Sequence, residues 1–260
     1  MTHLFIHRFD PRNTPFPLGR HIEKDSRSRA FTFSAPVGGY AKVTKVWEHS
    51  TPVLDQGTKS SCTGNAMAQM LNCHYFTPCR EGKLFLAEPD AVKLYSLATH
   101  LDGFGPDQYY PPNDNGSTGL GVAKAAHQLG YISSYRHCFT MAQLQDAIQT
   151  QPVIVGTAWT RPMFTPDPVT GFVVPGPLND STVQGGHEYL CQGIDYERQC
   201  LVFLNSWGTS WGGGEGLTPG QFRISLDDFA TLLADDGDIV VPVGNFPKPH
   251  FGETGITQTT

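Results

Sequence analysis

One pattern restricts the possible folds of this chain more than any other: a cysteine, a histidine and an asparagine lie far apart in the sequence, each inside a distinctive local motif. Cys62 follows two serines, which are good helix N-cap residues, and precedes apolar residues at helical spacing. His187 follows two glycines and begins a run that predicts a strand, and Asn205 follows the next such run. For these side chains to meet, the fold has to place the N-terminus of a helix against two neighbouring strands.

The two halves of the chain differ in their local patterns. Before Gln151, apolar residues recur at helical spacing, and they predict helices over 62–75, 89–100, 120–129 and 141–149. After it, short apolar runs separated by Gly, Pro and Asp predict strands over 152–157, 188–193, 201–204 and 222–224. Helices followed by strands indicate an α+β fold.

We therefore expect four segments. An extended N-terminal arm, residues 1–46, is rich in Pro, Arg, Asp and Ser and docks onto the rest of the chain. The helical subdomain with the cysteine covers 47–150, and the β-rich subdomain with the histidine and the asparagine covers 151–244. A polar C-terminal tail, 245–260, lies outside the core.

Charge and hydropathy exclude several classes of partner. A formal net charge of −6 and a pI near 5.9 argue against a nucleic-acid groove, which needs clustered Lys and Arg. No apolar run reaches the roughly 18 residues that span a bilayer, so we expect no membrane partner. The first residues show no pattern of a secretory signal, and this favours the cytoplasm, or a virion if a phage encodes the chain.

Cysteine usage predicts neither a disulfide framework nor a metal site. The chain has six cysteines: Cys62, Cys73, Cys79, Cys138, Cys191 and Cys200. Counting along the strands from His187 and Asn205 puts Cys191 and Cys200 on opposite faces, so they should not bond unless a bulge shifts the register. No paired Cys-x-x-Cys units, His-Glu-x-x-His motif or phosphate-binding glycine loop occurs, and we expect no metal and no cofactor.

The residue types suit nucleophilic chemistry at sulfur. A thiol attacks an amide as the thiolate, which a helix N-terminus and a nearby imidazole both favour at Cys62. His187 is the candidate imidazole, and Asn205 could fix its tautomer. The side-chain amide of Gln56, six residues before Cys62, and the backbone N–H of Cys62 could hold an oxyanion. A buried structural cysteine and a surface glutamine are the simpler interpretations of these residues when each is taken alone.

The motifs together resemble those of the papain-like (C1) cysteine peptidases. The matching segments are Gln56-Gly57, Ser61-Cys62, Gly185-Gly186-His187 and Asn205-Ser206-Trp207-Gly208. The Ser-Cys-Thr-x-Asn-Ala run is similar to the bacterial and phage branch of this family. The resemblance implies a cysteine endopeptidase with a helical subdomain, an antiparallel β-barrel-like subdomain and an active-site cleft between them. It also implies that the Trp207 indole shields the bond between His187 and Asn205 from water.

The same resemblance implies a set of substrate-binding residues. Gly116 and Ser117 lie where these peptidases use a Gly-Gly pair to bind extended peptide, and Gly186 lets the backbone pass close to the nucleophile. Three further residues fall on positions of the main specificity pocket, which takes the side chain two positions before the cut: Gly119, Gly156 and Glu188. Glu188 would favour a cationic side chain there, unless an internal cation such as Arg161 neutralises it.

Two other functions remain open from the sequence. Cell-wall amidases of the Cys/His type use a similar order of residues, although they carry neither the Gln56 motif nor the Asn-Ser-Trp-Gly block as a rule. A papain-like domain could also be retained as a binding or virion component with weak catalysis. The sequence leaves the natural substrate and the oligomeric state undetermined.

Overall fold

Within residues 14–73, 75, 76 and 85–244, which the computed structural model describes, the chain forms five α-helices and a seven-stranded sheet. The helices are α1 (Cys62–Leu71), α2 (Glu88–Leu101), α3 (Gly119–Gln128), α4 (Met141–Thr150) and α5 (Leu226–Ala234). The strands are β1 (Lys45–Val46), β2 (Ser134–His137), β3 (Val153–Thr160), β4 (Val183–Asp195), β5 (Cys200–Leu204), β6 (Gln221–Ser225) and β7 (Asp238–Val243). The described residues also form three short 3₁₀ helices, at Ser26–Phe31, Pro106–Gln108 and Arg161–Phe164. The predicted tail, the start of the predicted arm and Cys79 lie outside the described residues.

The α+β fold predicted from the sequence is confirmed, and all four predicted helices are present. α1 starts at Cys62 as predicted, but it ends at Leu71. α3 begins where the Thr118 hydroxyl accepts a hydrogen bond from the Gly121 amide at 2.8 Å. It stops before Gly130, whose φ of +76° ends a helix at little cost for a glycine.

The strands form one antiparallel sheet in the order β2-β7-β3-β4-β5-β6, and β1 pairs with β4 in addition. The resemblance implied a barrel-like subdomain, and this detail was wrong because the sheet is open. Each end strand has a single neighbour, since β2 pairs with β7 and β6 pairs with β5. Without hydrogen bonds between β2 and β6 the sheet cannot close.

Helices cover both faces of the sheet and create two cores. On β3, Val153 and Val155 belong to the core that contains α4 and α5, whereas Ile154 belongs to the core that contains α1, α2 and α3. On β4, Tyr189 faces the first of these cores and Leu190 faces the second. Because both faces are covered, the strands are continuous apolar runs without clear alternation.

Cys191 and Cys200 form no disulfide, as the sequence predicted. A bulge does occur between Cys191 and Gly193, where β4 pairs with β5, but the register still pairs Cys191 with Phe203 and Cys200 with Asp195. In the described part of the chain no helix is long and apolar enough to cross a membrane.

The described part of the arm pairs with the sheet and also packs into the core beside it. Lys45 and Val46 form β1 along β4, and the Phe33 amide donates to the His137 carbonyl at 2.8 Å. Further back, Leu18 is only 1% exposed and lies in the core beside the sheet. The residues around Leu18 cross the region where the candidate site residues meet.

Candidate active site

Cys62 lies at the N-terminus of α1, a helix whose residues are all buried. The sulfur is inaccessible to solvent, and this burial raises the pKa of the Cys62 thiol to about 12. The backbone amides of Glu188, Thr63 and Gly19 face the sulfur and oppose that shift. In this state Cys62 is a neutral thiol, although the groups that would stabilise a thiolate already surround it.

His187 on β4 and Asn205 at the end of β5 contact each other directly. The distance between His187 Nε2 and Asn205 Oδ1 is 2.7 Å. The Ser206 backbone amide also donates to Asn205 Oδ1, at 2.8 Å, which identifies that atom as the amide oxygen. Nε2 therefore carries the proton and Nδ1 is an unprotonated acceptor, buried and without a hydrogen-bond partner in the described part of the chain. Burial lowers the pKa of His187 to about 4, and the hydrogen bond that Nε2 donates to Asn205 only partly offsets this.

The His187 ring lies among indoles. Trp207 stacks on it with a centroid distance of 4.7 Å and an interplanar angle of 22°, and Trp207 itself is 2% exposed. Trp159 on β3 contacts the ring edge-on at 5.0 Å, a role that the sequence analysis did not predict. Together these rings exclude water from the bond between His187 and Asn205.

Gln56 begins the turn that precedes α1, and its side-chain amide is hydrogen-bonded at both ends. Its Oε1 accepts a hydrogen bond from the Ser206 hydroxyl at 2.7 Å, and its Nε2 donates to the Lys59 carbonyl at 2.7 Å. Its second amide hydrogen points to the Pro17 carbonyl, 3.4 Å away. Ser206 was part of the sequence motif without an assigned role, and here it orients the candidate oxyanion donor.

The predicted pocket residues also come together, around Gly156. Gly156 on β3 pairs with Glu188 on β4 and with Asp238 on β7, so the two carboxylates flank a position without a side chain. A Cβ at Gly119 would lie 2.8 Å from Glu188 Oε1, which places the start of α3 on the same pocket. We call these four residues the anionic pocket: Gly119, Gly156, Glu188 and Asp238. Asp238 was missed from the sequence because no strand was predicted there.

The arm passes over the remaining candidate residues. The amides of Gly19 and Arg20 donate to the Gly186 carbonyl at 3.2 Å and 3.0 Å. Ser117 donates from its amide to the Gly19 carbonyl at 2.8 Å and accepts from the His21 amide at 2.8 Å. Gly116 has a φ of +102°, and a Cβ there would collide with the Gly19 backbone. The arm therefore pairs with the backbone positions that were predicted to bind substrate.

The direction of the arm follows from its side-chain contacts. Phe16 stacks on Trp207 with a centroid distance of 4.6 Å, and Trp207 also stacks on His187. Pro17 reaches Gln56, and Arg20 enters the anionic pocket. The chain thus runs from Trp207, past Cys62, to the pocket, and it buries the thiol on the way.

No protein-family model matches the sequence, and a search of curated proteins gives no match. Solved structures do match. Xylellain, a cysteine protease from Xylella fastidiosa, is similar with a TM-score of 0.55 and 19% identity, over 93% of this chain and 99% of xylellain. The fold is papain-like.

Two further neighbours support this assignment of the fold. Digestive procathepsin L 3 of Tenebrio molitor larval midgut has a TM-score of 0.52 and 16% identity, over 82% of this chain and 74% of that one. The cysteine protease CMS1MS2 of Carica candamarcensis, in complex with E-64, has a TM-score of 0.50 and 19% identity. The match covers 76% of this chain and 94% of the Carica protease. At these identities the likeness concerns the fold alone.

Proposed function

We propose that this protein is a cysteine endopeptidase that hydrolyses peptide bonds through an acyl-thioenzyme. The observation that carries the proposal is the bond between His187 and Asn205, which leaves Nδ1 as an unpartnered base next to Glu188, the residue whose backbone amide faces the Cys62 sulfur. A buried imidazole in this tautomer, beside a thiol at a helix N-terminus, is an arrangement suited to proton removal from sulfur.

The reaction proceeds in two halves. His187 Nδ1 takes the thiol proton, and the Cys62 thiolate adds to the substrate carbonyl carbon. The negative oxygen that forms is held by the Gln56 side-chain amide and the Cys62 backbone N–H. The C–N bond then breaks as His187 returns the proton to the leaving amine, which gives the acyl-thioenzyme. Water, deprotonated by His187, adds to the thioester, and the carboxylic acid product leaves as the thiol re-forms.

In this proposal the described conformation is a resting state. The resemblance implies that the substrate residue two positions before the cut fills the anionic pocket, so a substrate runs from the pocket past Cys62 towards Trp207. The arm runs the opposite way, from Phe16 at Trp207 to Arg20 in the pocket. It therefore covers the nucleophile without presenting a peptide bond in the direction required for cleavage, and it has to move before substrate binds.

The Ser-Cys-Thr-x-Asn-Ala run and the similarity to xylellain support a place in the bacterial or phage branch of the family. No observation in the structure favours the cell-wall amidase or the inactive binding domain over the peptidase.

The proposal is tested with an epoxide that alkylates activated thiols, followed by mass mapping, on variants that release the arm. Arg20→Ala removes the side chain that fills the pocket, and Arg20→Glu places a third carboxylate beside Glu188 and Asp238. We expect a single adduct at Cys62 and hydrolysis of an unfolded protein such as casein. Cys62→Ala in the same background should abolish both, whereas Cys200→Ala, at the far end of β5, should change neither. Hydrolysis that persists in Cys62→Ala, or neither adduct nor hydrolysis in both arm variants, would contradict the proposal.

A further inference from the structure

The anionic pocket is built by three adjacent strands. Glu188 and Asp238 lie directly across from Gly156 on its two sides, and cross-strand partners point to the same face of a sheet. A Cβ at Gly156 would lie 2.7 Å from Asp238 Oδ1 and 2.7 Å from Arg20 Nε. The missing side chain at this position is therefore what makes room for a group between the two carboxylates.

The Arg20 guanidinium fills the space between the two carboxylates. Arg20 Nε donates to Asp238 Oδ1 at 2.9 Å, Nη2 contacts the same oxygen, and Nη2 also donates to the Asp236 carbonyl at 2.5 Å. The Arg20 side chain is 2% exposed. Asp238 and a backbone carbonyl thus accept from adjacent donors of one planar group, a geometry that suits guanidinium better than an ammonium ion.

Glu188 supplies a second and independent sign of a ligand. It is fully buried, and both of its carboxylate oxygens lack a hydrogen-bond partner in the described part of the chain. Both oxygens also lie beside the pocket glycines, Oε1 next to Gly119 and Oε2 next to Gly156. Burial first and Asp238 second raise the pKa of Glu188 well above its usual range, against the effect of Arg20. An unpartnered carboxyl of this kind is costly to bury unless a cationic ligand uses it.

Arg20 is also held by its backbone in the place of a substrate residue. Its amide donates to Gly186, and the carbonyl before it and the amide after it bond to Ser117. An extended peptide of the opposite direction can bond to the same two backbone positions and direct a side chain into the same pocket.

We propose that the anionic pocket selects an arginine side chain of the substrate, two positions before the cut, and that Arg20 fills this pocket in the resting protein as an internal substitute. The proposal rests on the proposed peptidase function for its reaction, but the recognition itself needs only the pocket. Glu188 and Asp238 are then specificity-determining residues, and the arm and an arginine-bearing substrate compete for one site.

The first test is a hydrolysis profile on the Arg20→Ala protein, with Arg20→Gln as a second variant. Peptides differ only at the residue two positions before the cut and carry Arg, its neutral analogue citrulline, Lys, Leu or Phe. We expect kcat/KM for Arg to exceed that for citrulline by about 10- to 100-fold, since a charge-assisted pair is lost. Lys should lie between them. A preference for Leu or Phe, or equal rates for Arg and citrulline, would overturn the proposal.

Matched carboxylate variants identify the residue responsible. Asp238→Asn in the same background should remove most of the preference for Arg over citrulline. Asp227→Asn removes an exposed carboxylate in the first turn of α5, and it should leave the preference intact. An unchanged preference in both Asp238→Asn and Glu188→Gln would overturn the assignment.

A binding experiment separates this proposal from the proposed function. The doubly substituted Cys62→Ala, Arg20→Ala protein cannot form an acyl-thioenzyme, and fluorescent forms of the Arg and citrulline peptides report affinity by anisotropy. Tighter binding of the Arg peptide, by about tenfold or more, supports the pocket even if no peptide is ever hydrolysed, in which case the peptidase function alone fails. Equal binding of the two peptides, together with hydrolysis by the Cys62 protein, overturns the pocket and leaves the peptidase function standing.

Discussion

The reacting centre and the anionic pocket are covered by the same few residues of the arm, but the covering acts on them in opposite ways. At the reacting centre the arm brings no charge, and burial leaves Cys62 and His187 neutral, with thiol and imidazole pKa values of about 12 and about 4. At the anionic pocket the arm contributes the Arg20 guanidinium, which bonds to Asp238. Desolvation keeps the reacting centre uncharged, whereas the anionic pocket contains an ion pair between Arg20 and Asp238.

This difference assigns separate tasks to the two regions. A neutral thiol and a neutral imidazole offer the arm little electrostatic attraction, so the reacting centre contributes little to holding the arm in place. The anionic pocket holds the arm, because charge-assisted bonds to a buried arginine are among the stronger non-covalent contacts in proteins. Changes at the reacting centre should therefore alter the chemical step, whereas changes at the pocket should alter access to it.

The largest effect belongs to the reacting centre. In an arm-released background, Gln56→Ala should lower kcat by about 10²- to 10³-fold, because one of two oxyanion donors is lost. KM should change little, since the amide bonds to the charge that develops in the transition state. Steady-state kinetics on a peptide substrate give both values. Gln56→Glu is the matched variant: as a carboxylate it keeps an acceptor for the Ser206 hydroxyl but can donate neither to the oxyanion nor to the Lys59 carbonyl, so it should lose activity as well.

The sequence predicts the reacting centre better than the anionic pocket, because the residues of the reacting centre lie in short local motifs. Cys62, His187 and Asn205 each lie in a short motif with a predicted helix start or strand beside it, so the sequence alone was enough to propose their roles. Gln56 was likewise found by its spacing from Cys62. These residues depend on the fold only to bring four local motifs together.

The pocket depends on register, which sequence patterns do not fix. Asp238 matters because it lies across from Gly156, and that pairing requires β7 to insert beside β3. β7 was not predicted because it is a short apolar run near the end of the chain, with a proline in it. Arg20 belongs to a polar segment without periodicity, and its partner carboxylate lies more than two hundred residues away in the sequence.

The second prediction concerns the pocket. Arg20→Ala should raise the rate of alkylation of Cys62 by iodoacetamide about 10- to 100-fold, since Cys62 is buried until the arm leaves and the variant loses charge-assisted bonds of roughly 1.5–3 kcal/mol. Mass mapping of timed samples measures the rate at each cysteine. Cys73 and Cys191 are buried in the two cores, and their rates should not change.

Arg27→Ala provides the control for this measurement. Arg27 lies on the same arm, but its side chain is 82% exposed and pairs with Asp25 at the surface, so its loss should leave the Cys62 rate within about twofold of the wild type. An increase as large as that of Arg20→Ala would mean that any loss of charge loosens the arm, and the pocket would then have no special part in holding it.

The smallest effect is expected where the arm meets Trp207. Phe16 stacks on the indole at 4.6 Å, and the indole also stacks on His187. A stacked aromatic pair contributes about 0.5–1.5 kcal/mol beyond its buried area, and Phe16 is only partly buried. Phe16→Ala should therefore raise the alkylation rate of Cys62 by roughly 2- to 10-fold, less than Arg20→Ala. Phe31→Ala, at a half-exposed ring of the arm outside the cleft, should have no effect. If Phe16→Ala instead exceeds Arg20→Ala, the apolar end holds the arm, and the pocket serves recognition alone.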